Sequence, residues 1–235
     1  MSILFSNQGF CNCCGQQVTF SAYGEWLRDL YLCNNCGSLP RQRNLQYVLN
    51  TYFAGWNDSK IHETSPSNNY IQSVAPLYSS SQYLPEIVPG SQSPDGVRSE
   101  NMESMSFADN TFEIFISQDV LEHVFHPRQA ILETLRVLAP GGIHIFTAPM
   151  FSSIEKSIRR AELLETGEIR HLAPPEYHGN PVGDGKALVT WLYGKDFPFL
   201  LSEWSNAPVG IFKTKDRTLG IDSEIDEVFV IKKPI

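Results

Sequence analysis

The residues best placed to do chemistry are cysteines near the start of the chain. Two Cys-x-x-Cys pairs, Cys11/Cys14 and Cys33/Cys36, are each followed by a glycine. Such a turn places two thiolates on one side of a metal ion, and the glycine relieves backbone crowding there. Two pairs complete a tetrahedral four-sulfur site, so the spacing predicts a zinc knuckle within residues 1–38. A closed site leaves no coordination position open, which predicts a structural and not a catalytic ion.

Cys13 is a spare thiol beside the first pair, and it could replace Cys11 or Cys14 as a ligand. The spacing favours the outer two cysteines, and the alternative for the whole cluster is a chance group of buried free thiols. All five cysteines precede residue 37, whereas a secreted disulfide framework would usually spread them along the chain. Residues 1–6 also lack the basic region and the long apolar run of a secretory signal. We therefore expect a zinc-binding protein of the cytoplasm.

The composition is that of a folded, acidic protein. The chain has 235 residues, 42% of them hydrophobic, and a formal net charge of -8. No stretch approaches the ~20 apolar residues that span a bilayer, so no membrane association is expected. The acidic balance argues against a nucleic-acid partner, because phosphate neutralisation needs clustered Lys and Arg. The two local basic clusters, Arg41/Arg43 and Lys156/Arg159/Arg160, are interpreted as solvated helix surface.

The elements that must position this chemistry alternate between strand and helix patterns. Ser38 and Pro40 can start a helix that Gly55 ends, and residues 39–56 are expected to link the metal module to a main domain at 57–235. In that domain we predict strands at 60–63, 79–84, 94–99, 112–117 and 143–147, helices at 68–75 and 128–138, and a closing antiparallel pair at 210–212 and 227–231. This alternation predicts an α/β fold with helices on both faces of a mostly parallel sheet. Residues 150–185 are rich in Pro, Gly and His, and are expected to form a substrate-side insertion over the carboxyl edge of the sheet.

Two blocks of the sequence resemble a known family. Residues 105–124 read MSFADNTFEIFISQDVLEHV, and residues 133–142 read ETLRVLAPGG. Both are similar to the central motifs of class I S-adenosylmethionine-dependent methyltransferases of the type 11 subfamily. The resemblance implies a Rossmann-like sheet of seven strands, with the last two paired antiparallel at one edge. It also implies S-adenosylmethionine as the cofactor.

The resemblance further implies where the cofactor binds. Ligands of open α/β sheets lie at the carboxyl ends of the strands. Glu63 occupies the acidic position that can receive the cofactor's ammonium group. Asn101 and Met102 are expected to flank the adenine, and Gln118 and Asp119 to line the methionine part.

The first loop departs from the family pattern, which has a Gly-x-Gly-x-Gly run. Here residues 64–68 read TSPSN. Ser65 and Ser67 are small enough to replace glycines, Pro66 would stiffen the turn, and Ser67 could cap the next helix with its amides facing the ligand. Tyr83 stands in the region where an acid usually holds the ribose. We expect a remodelled pocket that still binds the cofactor; the alternative is a degenerate fold with weak or no binding.

Methyl transfer is an in-line displacement in which the enzyme aligns the acceptor and can supply a base. His123 is one candidate base. If residues 119–123 are helical it shares a face with Asp119, and its alternative role is packing at a helix start. His178 is the second candidate, in a proline-fixed segment with Glu176. The alternatives for that segment are an ordinary hydrogen-bonded loop or a second metal held by His171, Glu176 and His178.

The leading prediction is a methyltransferase that acts on oxygen or nitrogen of a small molecule or sugar and carries a structural zinc ion. The enzymatic rival is an RNA methyltransferase, because some of these also have an N-terminal zinc module. The acidic balance and the lack of a basic stripe count against it. The rival from another class is a non-catalytic methyltransferase-like protein whose zinc module binds a partner. The sequence leaves the acceptor and the oligomeric state open.

Overall fold

The N-terminal module is a small antiparallel sheet. The computed structural model of the chain describes residues 2–179 and 185–235. Strands β1 (Phe5–Cys11), β2 (Gln16–Ala22) and β3 (Tyr31–Cys33) pair in that order, with the short helix α1 (Leu27–Leu30) between β2 and β3. The cysteine pairs lie in the β1–β2 turn and in the turn after β3.

A single helix, α2 (Pro40–Tyr52), connects this module to the main sheet. Proline is favoured in the first turn because its missing N–H would be unpaired there anyway. Leu45, Val48 and Leu49 are buried and pack on the main sheet, as their one-face spacing predicts. Gly55 follows with a φ of 74°, a left-handed conformation that favours glycine, before a short 3-10 helix at Trp56–Asp58.

The main domain alternates strands and helices up to residue 147 and then changes character. Its elements are β4 (Ile61–Thr64), α3 (Tyr70–Val74), β5 (Tyr78–Ser81), β6 (Phe112–Gln118), α4 (Pro127–Val137), β7 (Leu138–Thr147), β8 (Ile158–Arg159), β9 (Ala161–Leu163), β10 (Ile169–His171), β11 (Tyr177–Gly179), β12 (Lys186–Leu188), β13 (Trp191–Leu192), α5 (Phe197–Ser205), β14 (Val209–Phe212) and β15 (Val228–Lys232).

The main sheet has six strands in the described part of the chain, in the order β14-β15-β7-β6-β4-β5. Strands β5, β4, β6 and β7 are parallel, whereas β15 and β14 are antiparallel additions at one edge. The predicted closing pair is thus confirmed, but the expected seven-stranded sheet is wrong by one strand.

The missing strand is the one predicted at 94–99. Pro94 has no backbone N–H to donate to a ladder, and Gly96 turns the chain with a φ of 80°. The segment folds back on itself through a bridge between Gln92 and Arg98. Only Ser99 reaches the sheet edge, where it forms an isolated parallel bridge with Gln82.

Apolar side chains of the sheet point alternately to two helix layers. On one face Ile114 and Ile116 of β6 pack with α2, and on the other Phe115 packs with α4 and α5. This period-2 alternation on strands buried on both faces is the expected signature of a parallel sheet. Within the described ranges, no helix is long and apolar enough to cross a membrane.

Candidate functional site

The four cysteines of the two pairs converge at the end of the N-terminal module. The sulfurs of Cys11, Cys14, Cys33 and Cys36 all lie within 4.8 Å of one another. The Cys11 and Cys36 sulfurs are 3.7 Å apart. A tetrahedral zinc ion with Zn–S bonds of about 2.3 Å would set its sulfurs about 3.8 Å apart. The donor set and its spacing therefore fit a closed four-sulfur metal site.

Each cysteine pair is held by a tight turn. Gly15 and Gly37 have φ values of 65° and 70°, and each donates its N–H to the carbonyl of the first cysteine of its pair at 2.8 Å. These left-handed positions explain why a glycine follows each pair. Cys13 is buried but does not join the four-sulfur group.

The basic cluster Arg41/Arg43 is not solvated helix surface, contrary to our interpretation. Arg43 is fully buried under the module, where it donates hydrogen bonds to the carbonyls of Ser38, Tyr31 and Gly220. This role could not be predicted from local sequence, because Gly220 lies 177 residues further along the chain. Lys156/Arg159/Arg160 is not on a helix either, since Ile158–Arg159 forms a short strand.

A cavity of about 930 Å³ opens at the carboxyl ends of the parallel strands. Its walls come from the loops after β4 and β6, from the segment around Asn101, and from the hairpins of the insertion. The N-terminal module supplies a further wall through Trp26, Arg28 and Asp29, and α2 adds Arg41. Sequence reasoning did not predict this contribution, since nothing local in these residues points to a cavity of the main domain.

Most residues predicted for the cofactor and acceptor line this one cavity. They are Ser65, Ser67, Tyr83, Asn101, Met102, Gln118, Asp119, His123 and His178. Glu63 is the exception, because it is buried behind Gln118. Its carboxylate accepts hydrogen bonds from the Gln118 amide at 2.8 Å and from the Tyr78 hydroxyl at 2.9 Å. Burial raises the pKa of Glu63 to about 7, although these hydrogen bonds act in the opposite direction.

The loop after β4 keeps a glycine-like turn without a glycine. Ser65 has a φ of 54°, in the left-handed region that residues with side chains disfavour. Its N–H donates a hydrogen bond to the backbone carbonyl of Ser81 at 2.8 Å. Ser67 does not cap the next helix, because α3 starts only at Tyr70. Its hydroxyl instead accepts a hydrogen bond from the Gln42 amide at 2.8 Å.

Asp119 ties the N-terminal module to the cavity. Its carboxylate lies 2.9 Å from the Arg28 guanidinium and 2.6 Å from that of Arg41. Thr147 donates a further hydrogen bond at 3.0 Å. Burial alone would raise the pKa of Asp119, but the two arginines lower it below its ordinary range. Residues 121–123 form a turn and not the helix assumed for the Asp119–His123 pairing.

His123 and His178 face each other at one end of the cavity, with ring centroids 5.1 Å apart. Burial lowers the pKa of both histidines, so both are uncharged at neutral pH. Glu122 lies against them and is 1% exposed. Burial and the charge of Asp119 raise the pKa of Glu122 to about 8. Sequence reasoning missed Glu122, although it precedes His123 directly.

The arrangement resembles known proteins in one segment and in overall fold. Residues 61–146 match a protein-family model described as "Methyltransferase domain". Comparison with curated protein sequences gave no match.

Comparison with solved structures gave similar chains at low sequence identity. An S-adenosylmethionine-dependent methyltransferase from Mesorhizobium loti is 10% identical, with a TM-score of 0.50 over 80% of this chain and 96% of that one. A SAM-dependent methyltransferase from Methanosarcina mazei is 15% identical, with a TM-score of 0.45 over 80% and 97%. At these identities the likeness concerns the fold alone. The family match is confined to residues 61–146.

Proposed function

We propose that the protein is an S-adenosylmethionine-dependent methyltransferase that acts on an oxygen or nitrogen of a small molecule or sugar. The observation that carries this proposal is the cavity at the carboxyl ends of β4 and β6. Ligands of open α/β sheets bind at this edge. Its volume of about 930 Å³ is near the upper end of the roughly 300–1,000 Å³ range of ligand pockets, so a cofactor and a small acceptor fit together.

The cofactor end is formed by the loops that follow β4 and β6. Gln118 presents a side-chain amide whose orientation is fixed by Glu63, and the turn at Ser65 exposes backbone next to it. Asn101 and Met102 border the far side, where the adenine is expected. These positions favour cofactor binding over a degenerate fold, because the turn that glycine usually allows is kept by Ser65.

The acceptor end is formed by the turn at 121–123 and by the insertion. His123 and His178 are uncharged there and can engage the hydroxyl or amine of the acceptor. The walls carry Arg28 and Arg41, but each is paired with an aspartate. Arginines that are already paired with aspartates argue against an RNA acceptor, because binding of RNA phosphates needs unpaired basic groups.

We further propose that Cys11, Cys14, Cys33 and Cys36 hold a structural zinc ion. It would stabilise the turns that carry α1 and the start of α2, and hence Arg28 and Arg41. Because all four positions are filled by sulfur, the ion has no role in methyl transfer.

Titration calorimetry on the pure, zinc-loaded chain tests the cofactor proposal. We expect saturable binding of S-adenosylmethionine and of S-adenosylhomocysteine, and weaker binding by Asn101→Ala. His126→Gln serves as control, because His126 is half exposed and is not among the residues that line the cavity. Absence of binding by folded wild-type protein would overturn the enzymatic proposal and favour the non-catalytic alternative.

A further inference from the structure

We propose that Glu122, His123 and His178 form a second, divalent-metal site that faces the cavity. One ligand atom from each of the three residues lies within 4.8 Å of the other two. Among the described residues this is the one such group besides the four cysteines. It differs from the set suggested by the sequence, because Glu122 and His123 join His178 in place of His171 and Glu176.

The orientation of His123 is fixed by its backbone partner. Its Nδ1 lies 2.8 Å from the carbonyl oxygen of Leu188, and a carbonyl can only accept a hydrogen bond. Nδ1 therefore carries the proton, and Nε2 presents a lone pair. That lone pair lies 3.8 Å from the Glu122 carboxylate. A histidine whose second nitrogen donates to a carbonyl is the usual arrangement of a metal ligand, because the partner fixes the tautomer and the ring.

His178 approaches the same carboxylate from the insertion. Its Nδ1 lies 3.9 Å from Glu122 Oε1. Separations of 3.8 and 3.9 Å are too long for direct hydrogen bonds. Tetrahedral ligands at about 2.0–2.2 Å from one ion lie roughly 3.3–3.6 Å apart, so a shift of a few tenths of an ångström brings these groups to ligand spacing.

Glu122 is left without the donors that a buried carboxylate needs. Its Oε2 has no hydrogen-bond partner in the described ranges, and burial of an unpaired carboxylate is costly. The nearby cations Arg28 and Arg41 are both engaged by Asp119. A divalent ion between Glu122 and the two imidazoles provides the missing positive charge.

The site is held in place by its surroundings. The segment after β12 bonds to the turn at 121–124, since Thr190 donates its N–H to the Glu122 carbonyl at 2.8 Å. The Tyr193 hydroxyl donates to the Leu121 carbonyl at 2.8 Å. These contacts fix Glu122 and His123, while pairing of His178 with Ala187 fixes the third residue.

Two imidazoles and one carboxylate favour a borderline divalent ion such as Zn²⁺, Co²⁺ or Mn²⁺ over Mg²⁺ or Ca²⁺, which prefer oxygen ligands. Three protein ligands leave positions open toward the cavity. Resting on the proposed function, we assign these positions to an acceptor with two adjacent oxygens, such as a vicinal diol. The ion lowers the pKa of the acceptor hydroxyl. The hydroxyl proton passes to solvent, the oxygen forms a bond to the methyl carbon, and the carbon–sulfur bond breaks with its electron pair left on sulfur.

Manganese binding to the full chain loaded with one equivalent of zinc, which the four thiolates take first, tests the metal site. Mn²⁺ is a poor competitor for four thiolates. Loss of the electron paramagnetic resonance signal of free Mn²⁺ therefore measures binding at the new site. We expect one Mn²⁺ per wild-type chain and an affinity at least about tenfold lower for His178→Gln. The control is His126→Gln, because His126 also contacts a carboxylate, that of Glu103, but is half exposed. Its Mn²⁺ affinity should equal that of the wild type.

The outcomes separate the two proposals. Absence of Mn²⁺ binding, or equal binding by His178→Gln and wild type, would overturn the metal site whatever the calorimetry with S-adenosylmethionine shows. Zinc content and the unfolding curve of His178→Gln show whether that variant is folded, and Glu122→Gln provides a second test with an altered charge. Catechol, as a probe with adjacent hydroxyls, should broaden the spectrum of bound Mn²⁺ in wild type. An unchanged spectrum would refute the chelating acceptor.

Discussion

Replacement of Asp119 by asparagine should weaken the attachment of the N-terminal module to the main domain. The aspartate carboxylate contacts Arg28 at 2.9 Å and Arg41 at 2.6 Å. The two arginine side chains are only 10% and 16% exposed. Asparagine keeps the shape of the side chain and tolerates the φ of 53° at this position. The substitution therefore removes the charge with little change in the backbone.

The expected loss of unfolding free energy is about 3 kcal/mol. Removal of one partner from a buried ion pair costs about 3–5 kcal/mol, because the remaining charge is left uncompensated. The lower end applies here, since the amide oxygen of asparagine can still accept one hydrogen bond from an arginine. Against a total stability of about 5–15 kcal/mol this is a large fraction.

Urea unfolding of zinc-loaded protein, followed by tryptophan fluorescence at neutral pH, measures this loss. Asp109→Asn is the matched control, because Asp109 pairs with Arg136 at 2.8 Å but its side chain is 68% exposed. We expect it to lose less than about 1 kcal/mol. Combining Asp119→Asn with Arg41→Gln should give less than the sum of the two single losses. If Asp119→Asn lost no more than Asp109→Asn, the ion pairs would not join the two parts of the chain.

Three further tests address separate parts of the structure. Cys33→Ser should reduce zinc far below one ion per chain by elemental analysis, whereas Cys13→Ser should retain it, because Cys13 lies outside the four-sulfur group. Ser65→Gly should raise the unfolding free energy by about 0.5 kcal/mol, since relief of the left-handed strain exceeds the entropy cost of glycine; a measured loss would show that the Ser65 hydroxyl is needed. Burial lowers the pKa of His144 to about 3. The contribution of the neutral ring to the unfolding free energy is therefore complete above pH 6.5, the ordinary pKa of histidine, and is lost as the pH falls toward 3. Between pH 6 and 4, the unfolding free energy of the wild type should therefore fall more steeply than that of His144→Phe, and the two slopes should differ by about 1.4 kcal/mol per pH unit. Parallel curves for the two proteins would contradict the buried neutral state of His144.

Local sequence patterns predicted the elements whose signals are local. The apolar run in Phe112–Gln118, the one-face apolar spacing in Pro127–Val137 and the two cysteine pairs all correspond to features of the structure. The strand predicted at 94–99 failed for a local reason as well, because Pro94 and Gly96 favour a turn.

Contacts between distant parts of the chain could not be predicted in this way. Arg28 and Asp119 are 91 residues apart, and His178 meets Glu122 only because the insertion folds back over the sheet. The position of Glu63 behind Gln118 likewise depends on two neighbouring strands. For each of these, the pairing is set by the tertiary fold and not by spacing along the chain.

Arg43 also constrains the order of events during synthesis. The residues of the module, Arg43 included, are synthesised before the segment that holds Gly220. The carbonyl of Gly220, which accepts from the Arg43 guanidinium, is 177 residues further on. At about 5–20 residues per second, this partner arrives roughly 9–35 s later. Arg43 can pair with the carbonyls of Ser38 and Tyr31 before that, and the contact between the module and the segment around Gly220 forms only after this delay.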